Sequence, residues 1–210
     1  MRTVESLLQA RELLAEYRVV IFDMDDTLYP EKDYVRSGYK QIALNNPDIV
    51  GMEQKLWQAF ENGEQAIDYV LQAQGVYSKE KAMECLEIYR RQMPDIHLYN
   101  DARVLMDYLK DRRIRFGMIT DGRPEGQWAK IEALGIRDCF EKIIVTDELG
   151  GVEFRKPNPL AFELMQKHFD VPFEQIVYIG DNPRKDFIAP QKLGMGCVHF
   201  LNKDGLYYEK

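Results

Sequence analysis

The chain has 210 residues, a net charge of −7 and a composition that is 45% hydrophobic and 30% charged. This length and composition fit a globular core domain, with room for a smaller insert. An acidic chain is a poor binder of nucleic acid polymers, but a local cationic pocket can still take a small phosphorylated molecule.

The three cysteines, Cys85, Cys139 and Cys197, lie far apart, and no CxxC pair is present. This spacing argues against a thiolate metal site and against a disulfide framework, so we expect free buried thiols. The first 17 residues are charged and amphipathic, and no apolar run reaches the length of about 20 residues that spans a membrane. We therefore expect a protein of the reducing cytoplasm with no membrane partner.

The first elements lead to an acidic stretch. Apolar residues within 3–17 fall on one helical face and predict a helix over that range. The apolar run from Val19 to Phe22 predicts a strand buried on both faces, and it ends in Asp23, Asp25 and Asp26. Three carboxylates after a buried strand need positive charge to offset them, and a divalent cation is the simplest source. Open α/β sheets also bind their ligands at such strand ends.

Residues 31–97 have a helical pattern. Apolar residues recur at spacings of three and four, and Gly51, Gly63 and Gly75 separate the blocks. This pattern predicts four helices and no strand, with Ser78 as an N-cap. An all-helical insert of this size would form a lid on the acidic site or a small domain beside it.

From residue 99 onward, strand and helix patterns alternate. The predicted strands are 114–120, 142–146, 175–180 and 196–201, and the predicted helices are 101–112, 125–134, 159–169 and 186–193. Repeated βα units of this kind indicate a parallel sheet covered by helices on both faces.

Polar residues stand at the ends of these strands. Thr120 and Asp121 end one strand, Asp147 follows another, and Asp181 follows a third. In a parallel sheet these ends share one edge with Asp23, and that edge is where α/β folds place their sites. We assign Asp121 and Asp147 to turns and leave them out of the candidate site.

Four segments of the chain together resemble the motifs of the haloacid dehalogenase-like hydrolases. The segments are Asp23-x-Asp25-x-Thr27, the strand end Ile119-Thr120, Lys156 just before a helix, and Gly180-Asp181-x-x-x-x-Asp186. They occur in the order and the structural context of that superfamily, and the resemblance covers the whole chain. It implies a Rossmann-like three-layer α/β core with a parallel five-stranded sheet. The core would comprise residues 1–30 and 98–210, with an all-helical cap, residues 31–97, inserted after the first strand.

The resemblance also implies the chemistry, which is that of a Mg²⁺-dependent phosphohydrolase. Asp23 would be the nucleophile that takes the phosphoryl group as an aspartyl-phosphate. Asp25 would protonate the leaving alcohol and then take a proton from the attacking water. Lys156 would place a positive charge beside the nucleophile and the transferring group.

The remaining roles support that reaction. Mg²⁺ would bind to Asp23, to the backbone carbonyl of Asp25 and to Asp181. Thr120 would offer its hydroxyl to a phosphate oxygen, and Asp186 would orient metal-bound water or Lys156. We expect Asp26, in contrast, to face away from the site or to support the loop.

The cap implies a small substrate, such as a sugar phosphate, a nucleotide monophosphate or a related phosphorylated metabolite. A phosphosugar mutase, which uses the same intermediate, stays open as the alternative. A 2-haloacid dehalogenase is a weaker one, because Asp25 and Asp181 are both present. A non-catalytic binding protein is weaker still, because it would be expected to have lost Asp23, Asp25 or Lys156. The sequence leaves the individual substrate and the oligomeric state open.

Overall fold

The computed structural model describes residues 1–208. They form two compact units, one of residues 1–31 together with residues from His97 onward, and one of residues 32–96. The first unit contains the sheet, and the second is helical. Within residues 1–208, no helix combines the length and the hydrophobicity needed to cross a bilayer.

The sheet of the first unit is fully parallel. Its strands are β1 (Arg2–Val4), β2 (Val19–Phe22), β3 (Arg115–Thr120), β4 (Lys142–Val145), β5 (Ile176–Gly180) and β6 (Gly196–Phe200). Their order across the sheet is β1-β6-β5-β2-β3-β4, and every neighbouring pair is parallel. The predicted Rossmann-like α/β sheet is therefore confirmed, with β2 and β5 fully buried at its centre.

The predicted count of five strands is wrong by one, and the predicted helix over 3–17 is wrong at its start. Arg2–Val4 forms the sixth strand, with Arg2 opposite Val198 at the sheet edge. Three residues are too few to show the alternation that predicts a strand from sequence, and Arg2–Val4 is recognisable as a strand only from its pairing with β6. The rest of the segment forms a 3₁₀ turn over Leu7–Ala10 and a single α-helical turn.

Helices cover both faces of the sheet in the first unit and make up the second unit. The α-helices of residues 1–208 are α1 (Arg11–Leu14), α2 (Glu31–Leu44), α3 (Met52–Glu61), α4 (Ala66–Ala73), α5 (Lys79–Arg90), α6 (Asn100–Asp111), α7 (Pro124–Leu134), α8 (Leu160–Phe169) and α9 (Ile188–Leu193). Local signals set their ends. Pro124 is the first residue of α7, and Gly135 ends that helix at a φ of 64°, a left-handed conformation that glycine adopts readily.

The second unit contains the four helices that the pattern predicted, α2 to α5. The Ser78 hydroxyl accepts a hydrogen bond from the Lys81 N–H at 3.1 Å, so the predicted N-cap of α5 is confirmed. Buried side chains such as Ile42, Leu56 and Leu71 form a separate apolar core in this unit. Its cysteine, Cys85, is a free buried thiol, as expected.

Candidate active site

The carboxyl ends of three neighbouring strands carry predicted site residues. Asp23 directly follows β2, Thr120 is the last residue of β3, and Asp181 directly follows β5. The Asp23 N–H donates to the carbonyl oxygen of Ile179 at 2.9 Å, which extends the pairing of β2 with β5 by one residue. All three side chains are buried, so the sheet brings them to one edge away from bulk water.

The glycine before Asp181 makes room for a carboxylate. A Cβ atom at Gly180 would lie 2.5 Å from Oδ2 of Asp186, closer than a real contact allows. That oxygen accepts a hydrogen bond from the Asn182 N–H at 3.0 Å. A larger residue at position 180 would therefore displace Asp186, which explains why the acidic pair is preceded by glycine.

Lys156 brings a buried positive charge to this edge. Its Nζ donates to Oδ1 of Asp23 at 2.5 Å and to the Tyr178 hydroxyl at 2.8 Å, and it lies 2.8 Å from Oδ1 of Asp186. Burial opposes the charge, but Asp186 and Asp23 together raise the pKa of Lys156 well above its usual value. The ammonium therefore stays charged and compensates two carboxylates that water does not reach.

The acidic cluster holds more negative charge than Lys156 offsets. Carboxylate oxygens of Asp23, Asp181 and Asp186 lie within 4.8 Å of one another. Burial raises the pKa of Asp181 to about 9, and repulsion by Asp23 and Asp186 acts in the same direction. Burial likewise raises the pKa of Asp23 to about 7, although Lys156 opposes the shift. Within residues 1–208, the Asp181 carboxylate has neither a hydrogen bond nor an ion pair.

These observations fit a divalent cation. The cluster offers hard oxygen donors, which Mg²⁺ prefers, and further positive charge would let Asp23 and Asp181 ionise together. Asp186 is the less available ligand, because its two oxygens already contact Lys156 and the Asn182 N–H.

Asp25 lies in a second network, formed with helix α7. Its Oδ1 accepts hydrogen bonds from Lys130 Nζ at 2.7 Å and from the Tyr29 hydroxyl, and its Oδ2 accepts from Gln127 Nε2 at 2.9 Å. The same Gln127 nitrogen lies 2.5 Å from the Thr120 hydroxyl oxygen. Burial alone would raise the pKa of Asp25, but the charge of Lys130 and these hydrogen bonds lower it below its usual value.

Asp26 supports the acidic loop, in agreement with the expectation from the sequence. Its carboxylate accepts hydrogen bonds from the Glu31 N–H at 2.9 Å and from the Leu206 N–H at 2.7 Å. Its carbonyl oxygen accepts a third from Asn202 Nδ2 at 2.7 Å. Asp26 also has a φ of 53°, a left-handed conformation that aspartate tolerates better than most residues. These bonds tie the acidic loop to the segment that follows β6.

Asp121, which we assigned to a turn, fixes the loop that carries Lys156. Its Oδ1 accepts hydrogen bonds from the Lys156 N–H and the Thr146 hydroxyl, both at 3.0 Å, and its Oδ2 lies 3.0 Å from Lys185 Nζ. Burial would raise the pKa of Asp121, but the charges of Lys156 and Lys185 lower it below its usual value. The position of Asp121 at a strand end, like that of Asp23 and Asp181, is the sequence signal for this role.

The second turn aspartate, Asp147, holds the residue before Lys156. Its two carboxylate oxygens accept hydrogen bonds from Nε and Nη2 of Arg155, each at 2.7 Å. A bidentate pair of this geometry is among the stronger ion pairs in proteins. Asp121 and Asp147 thus both act on the approach to Lys156.

The structure places the six predicted site residues in two groups. One group consists of Lys156 and the acidic cluster near its ammonium, and the members of the other both contact the Gln127 side chain. The first group is Asp23, Lys156, Asp181 and Asp186, and the second is Asp25 and Thr120. Sequence reasoning missed the partners on α7, Gln127 and Lys130, whose only signal is that two polar residues three positions apart share one helix face.

Comparisons with known proteins identify related sequences and a similar fold. The chain is 26% identical over 196 residues to a glyceraldehyde 3-phosphate phosphatase of Methanopyrus kandleri, covering 86% of this chain and 82% of the relative. It is 28% identical over 205 residues to the protein of that name from Pyrococcus furiosus, covering 91% and 83%. The fold is similar to that of YfnB from Bacillus subtilis, a haloacid dehalogenase-type hydrolase whose structure was determined with bound magnesium. That match has a TM-score of 0.64 and 21% identity, and it covers 88% of this chain and 86% of that one.

A family model for haloacid dehalogenase-like hydrolases matches residues 20–200, which include both groups of site residues. The match spans the acidic loop after β2, the end of β3, the buried lysine and the acidic pair after β5. The chain therefore belongs to the haloacid dehalogenase-like hydrolase family.

Proposed function

We propose that this chain is a Mg²⁺-dependent phosphatase that hydrolyses a small phosphomonoester through an aspartyl-phosphate on Asp23. The observation that carries the proposal is the buried contact between Lys156 Nζ and the Asp23 carboxylate inside an acidic cluster at the sheet edge. A carboxylate held in this way is a nucleophile with positive charge beside it. The relatives named as phosphatases support phosphate monoesters as the substrate class.

In the first half-reaction, Asp23 attacks the phosphorus atom. Lys156 donates to Oδ1 of Asp23, so Oδ2 is the oxygen that forms the new P–O bond. The negative charge of the bound phosphate raises the pKa of Asp25, so this residue carries a proton in the enzyme–substrate complex. The bond between phosphorus and the leaving oxygen breaks, and Asp25 gives that oxygen this proton. The products of this step are the free alcohol and the phosphorylated Asp23.

In the second half-reaction, water attacks the phosphorus atom. Asp25, now ionised, takes a proton from the water as the new P–O bond forms. The bond between phosphorus and Asp23 breaks, which releases inorganic phosphate and restores both aspartates to their starting states. Proton count and charge therefore balance over one cycle.

The other site residues position the substrate and the charges. Lys156 stabilises the negative charge on the transferring oxygens, and Asp186 holds Lys156 in place through their 2.8 Å contact. The Thr120 oxygen accepts a hydrogen bond from Gln127, so its own hydrogen is left to donate to a phosphate oxygen. Mg²⁺, held by Asp23, Asp181 and the Asp25 carbonyl, would supply the charge that offsets repulsion between carboxylate and phosphate.

The test is phosphate release from a panel of sugar phosphates, nucleotide monophosphates, short-chain phosphorylated metabolites and p-nitrophenyl phosphate. Each compound is assayed with Mg²⁺ and with EDTA, on the wild type, on Asp23→Asn and on Asp48→Asn. Asp48 is an exposed aspartate of the helical unit and serves as the matched control. We expect Mg²⁺-dependent release that is abolished in Asp23→Asn and retained in Asp48→Asn.

Two results would count against the proposal. Release that persists in Asp23→Asn would remove Asp23 as the nucleophile. Conversion of a sugar phosphate into an isomer without net phosphate release would show that the chain is a mutase and not a phosphatase.

A further inference from the structure

Three donors hold the Asp25 carboxylate, and two of them come from one helix. Lys130 Nζ and the Tyr29 hydroxyl contact Oδ1, and Gln127 Nε2 contacts Oδ2. Two carboxylate oxygens offer about four lone-pair sites, so three donors leave about one site, and it lies on Oδ2. The network therefore selects one oxygen of Asp25 for any proton that the residue gives or takes.

The two donors from α7 are placed at the cost of burying polar groups. Lys130 is 5% exposed and Gln127 is 4% exposed, although both are residues that proteins usually keep at the surface. They are one helical turn apart, so they share the face of α7 that meets the acidic loop. A buried ammonium and a buried amide are stable there because the Asp25 carboxylate accepts hydrogen bonds from both.

Gln127 also connects Asp25, the proposed proton carrier, with Thr120, the proposed phosphate-binding residue. Its amide nitrogen lies 2.9 Å from Asp25 Oδ2 and 2.5 Å from the Thr120 oxygen. The residue proposed to move the proton and the residue proposed to hold the phosphate thus share one donor. A fixed distance between them is what proton transfer to an atom bonded to phosphorus requires.

We propose that Lys130 and Gln127 are positioning residues that orient Asp25 so that its Oδ2 faces the leaving oxygen and then the attacking water. This inference rests on the proposed phosphatase function. The proton on Oδ2 moves to the leaving oxygen as its bond to phosphorus breaks. In the second half-reaction, a proton of the water moves to Oδ2 as the water oxygen bonds to phosphorus.

The experiment compares two phosphate esters that differ in their need for a proton. An alkyl phosphate, such as glycerol 1-phosphate, releases an alkoxide that must be protonated, whereas p-nitrophenyl phosphate releases an anion that is stable at neutral pH. The quantity measured is kcat/KM, which covers the steps up to release of the leaving group and excludes later hydrolysis of the intermediate. The variants are Lys130→Met and Gln127→Met, with Asp25→Asn as reference and Lys167→Met, at an exposed site on α8, as matched control.

We expect Lys130→Met to lower kcat/KM for glycerol 1-phosphate by about 10- to 100-fold, the effect of losing one hydrogen bond to a charged group. For p-nitrophenyl phosphate the loss should stay below about threefold. Gln127→Met should lower kcat/KM on both esters, because it also removes the donor to Thr120, but it should lower kcat/KM more for glycerol 1-phosphate than for p-nitrophenyl phosphate. Asp25→Asn should lower kcat/KM for glycerol 1-phosphate by about 100-fold or more. Lys167→Met should match the wild type on both esters.

The outcomes separate this inference from the proposed function. Equal losses on both esters in Lys130→Met and Gln127→Met, or no loss on either, would overturn the positioning role and leave the phosphatase standing. If Lys130→Met does not fold, Gln127→Met decides the matter, because it keeps the ion pair between Lys130 and Asp25. If the wild type hydrolyses neither ester nor any other phosphomonoester, the proposed function and this inference both fail.

Discussion

Removing the ammonium of Lys156 tests the electrostatics of the site most severely. In Lys156→Met, a side chain of similar length replaces the lysine without its charge. Asp23 and Asp186 then lose the cation that lies 2.5 and 2.8 Å from their oxygens, and the Tyr178 hydroxyl loses a donor at 2.8 Å. Because the lysine side chain is fully buried, water does not replace it.

The expected cost follows from that burial. Removing one partner from a buried ion pair costs about 3–5 kcal/mol, because it leaves a buried charge uncompensated. For a chain of 150–250 residues, each kcal/mol shifts the melting temperature by about 2–4 °C, so we expect a decrease of about 6–20 °C in EDTA. Under the proposed Mg²⁺ site, excess Mg²⁺ should restore part of this loss, because a ligand that binds only the folded state stabilises it.

The assay is thermal unfolding followed by circular dichroism at pH 8, with EDTA and with Mg²⁺. Lys167→Met is again the control, because Lys167 is exposed on α8. A decrease of less than about 2 °C for Lys156→Met in EDTA would refute the reasoning, since it would mean that Lys156 does not compensate the buried carboxylates. Phosphatase activity in the same variant should be lost on every substrate.

Three further changes have defined outcomes. The first is a change of pH. Burial raises the pKa values of Asp23 and Asp181 above the usual 3.8, to about 7 and about 9. Between pH 4 and 9, the folded metal-free chain therefore binds protons that the unfolded chain has already released. The free energy of unfolding in EDTA, measured by urea titration, should therefore fall as pH rises from 4 to 9, and saturating Mg²⁺ should make this dependence on pH weaker. The same dependence on pH with EDTA and with Mg²⁺ would count against a cation at these carboxylates. Asp26→Ala removes the acceptor of two backbone N–H groups and should lower the free energy of unfolding by at least about 2 kcal/mol in urea titration, whereas an unchanged midpoint would show that the loop does not need this anchor. Thr120→Val should keep the fold by circular dichroism but lower kcat/KM about tenfold on phosphomonoesters, and full activity would exclude the hydroxyl from phosphate binding.

The sheet and the edge that carries the site were predictable from the sequence, because both depend on short-range patterns. The apolar runs that end in Asp23, Thr120 and Asp181 each give a buried strand and a polar end. Parallel strands then bring those ends to one edge, whatever the details of packing.

The missed features depend on contacts between distant residues. Arg2–Val4 is a strand only because β6 offers an open edge, which no local pattern reports. Tyr178 has the sequence signature of a core residue, and its hydroxyl reaches Lys156 only once β5 and the loop before α8 are in place. Gln127 and Lys130 look like ordinary polar residues of a helix until the fold brings α7 against the acidic loop.

Asp186 illustrates an intermediate case. The acidic pair predicted a supporting role, and the structure adds the contacts, with Oδ1 beside Lys156 and Oδ2 on the Asn182 N–H. The predicted helix from residue 186 instead begins at Ile188, so Asp186 belongs to the loop before α9.

The most direct measurement for the central claim is to identify the residue that carries the phosphoryl group during turnover. The wild type is mixed with its best substrate and Mg²⁺, quenched in acid and treated with borohydride, which reduces an acyl phosphate to an alcohol but leaves free carboxylates intact. Peptide mass spectrometry then locates the reduced residue. We expect reduction at Asp23, dependent on substrate and absent in Asp23→Asn. Reduction at another carboxylate, or turnover with no reduction at any position, would contradict Asp23 as the nucleophile.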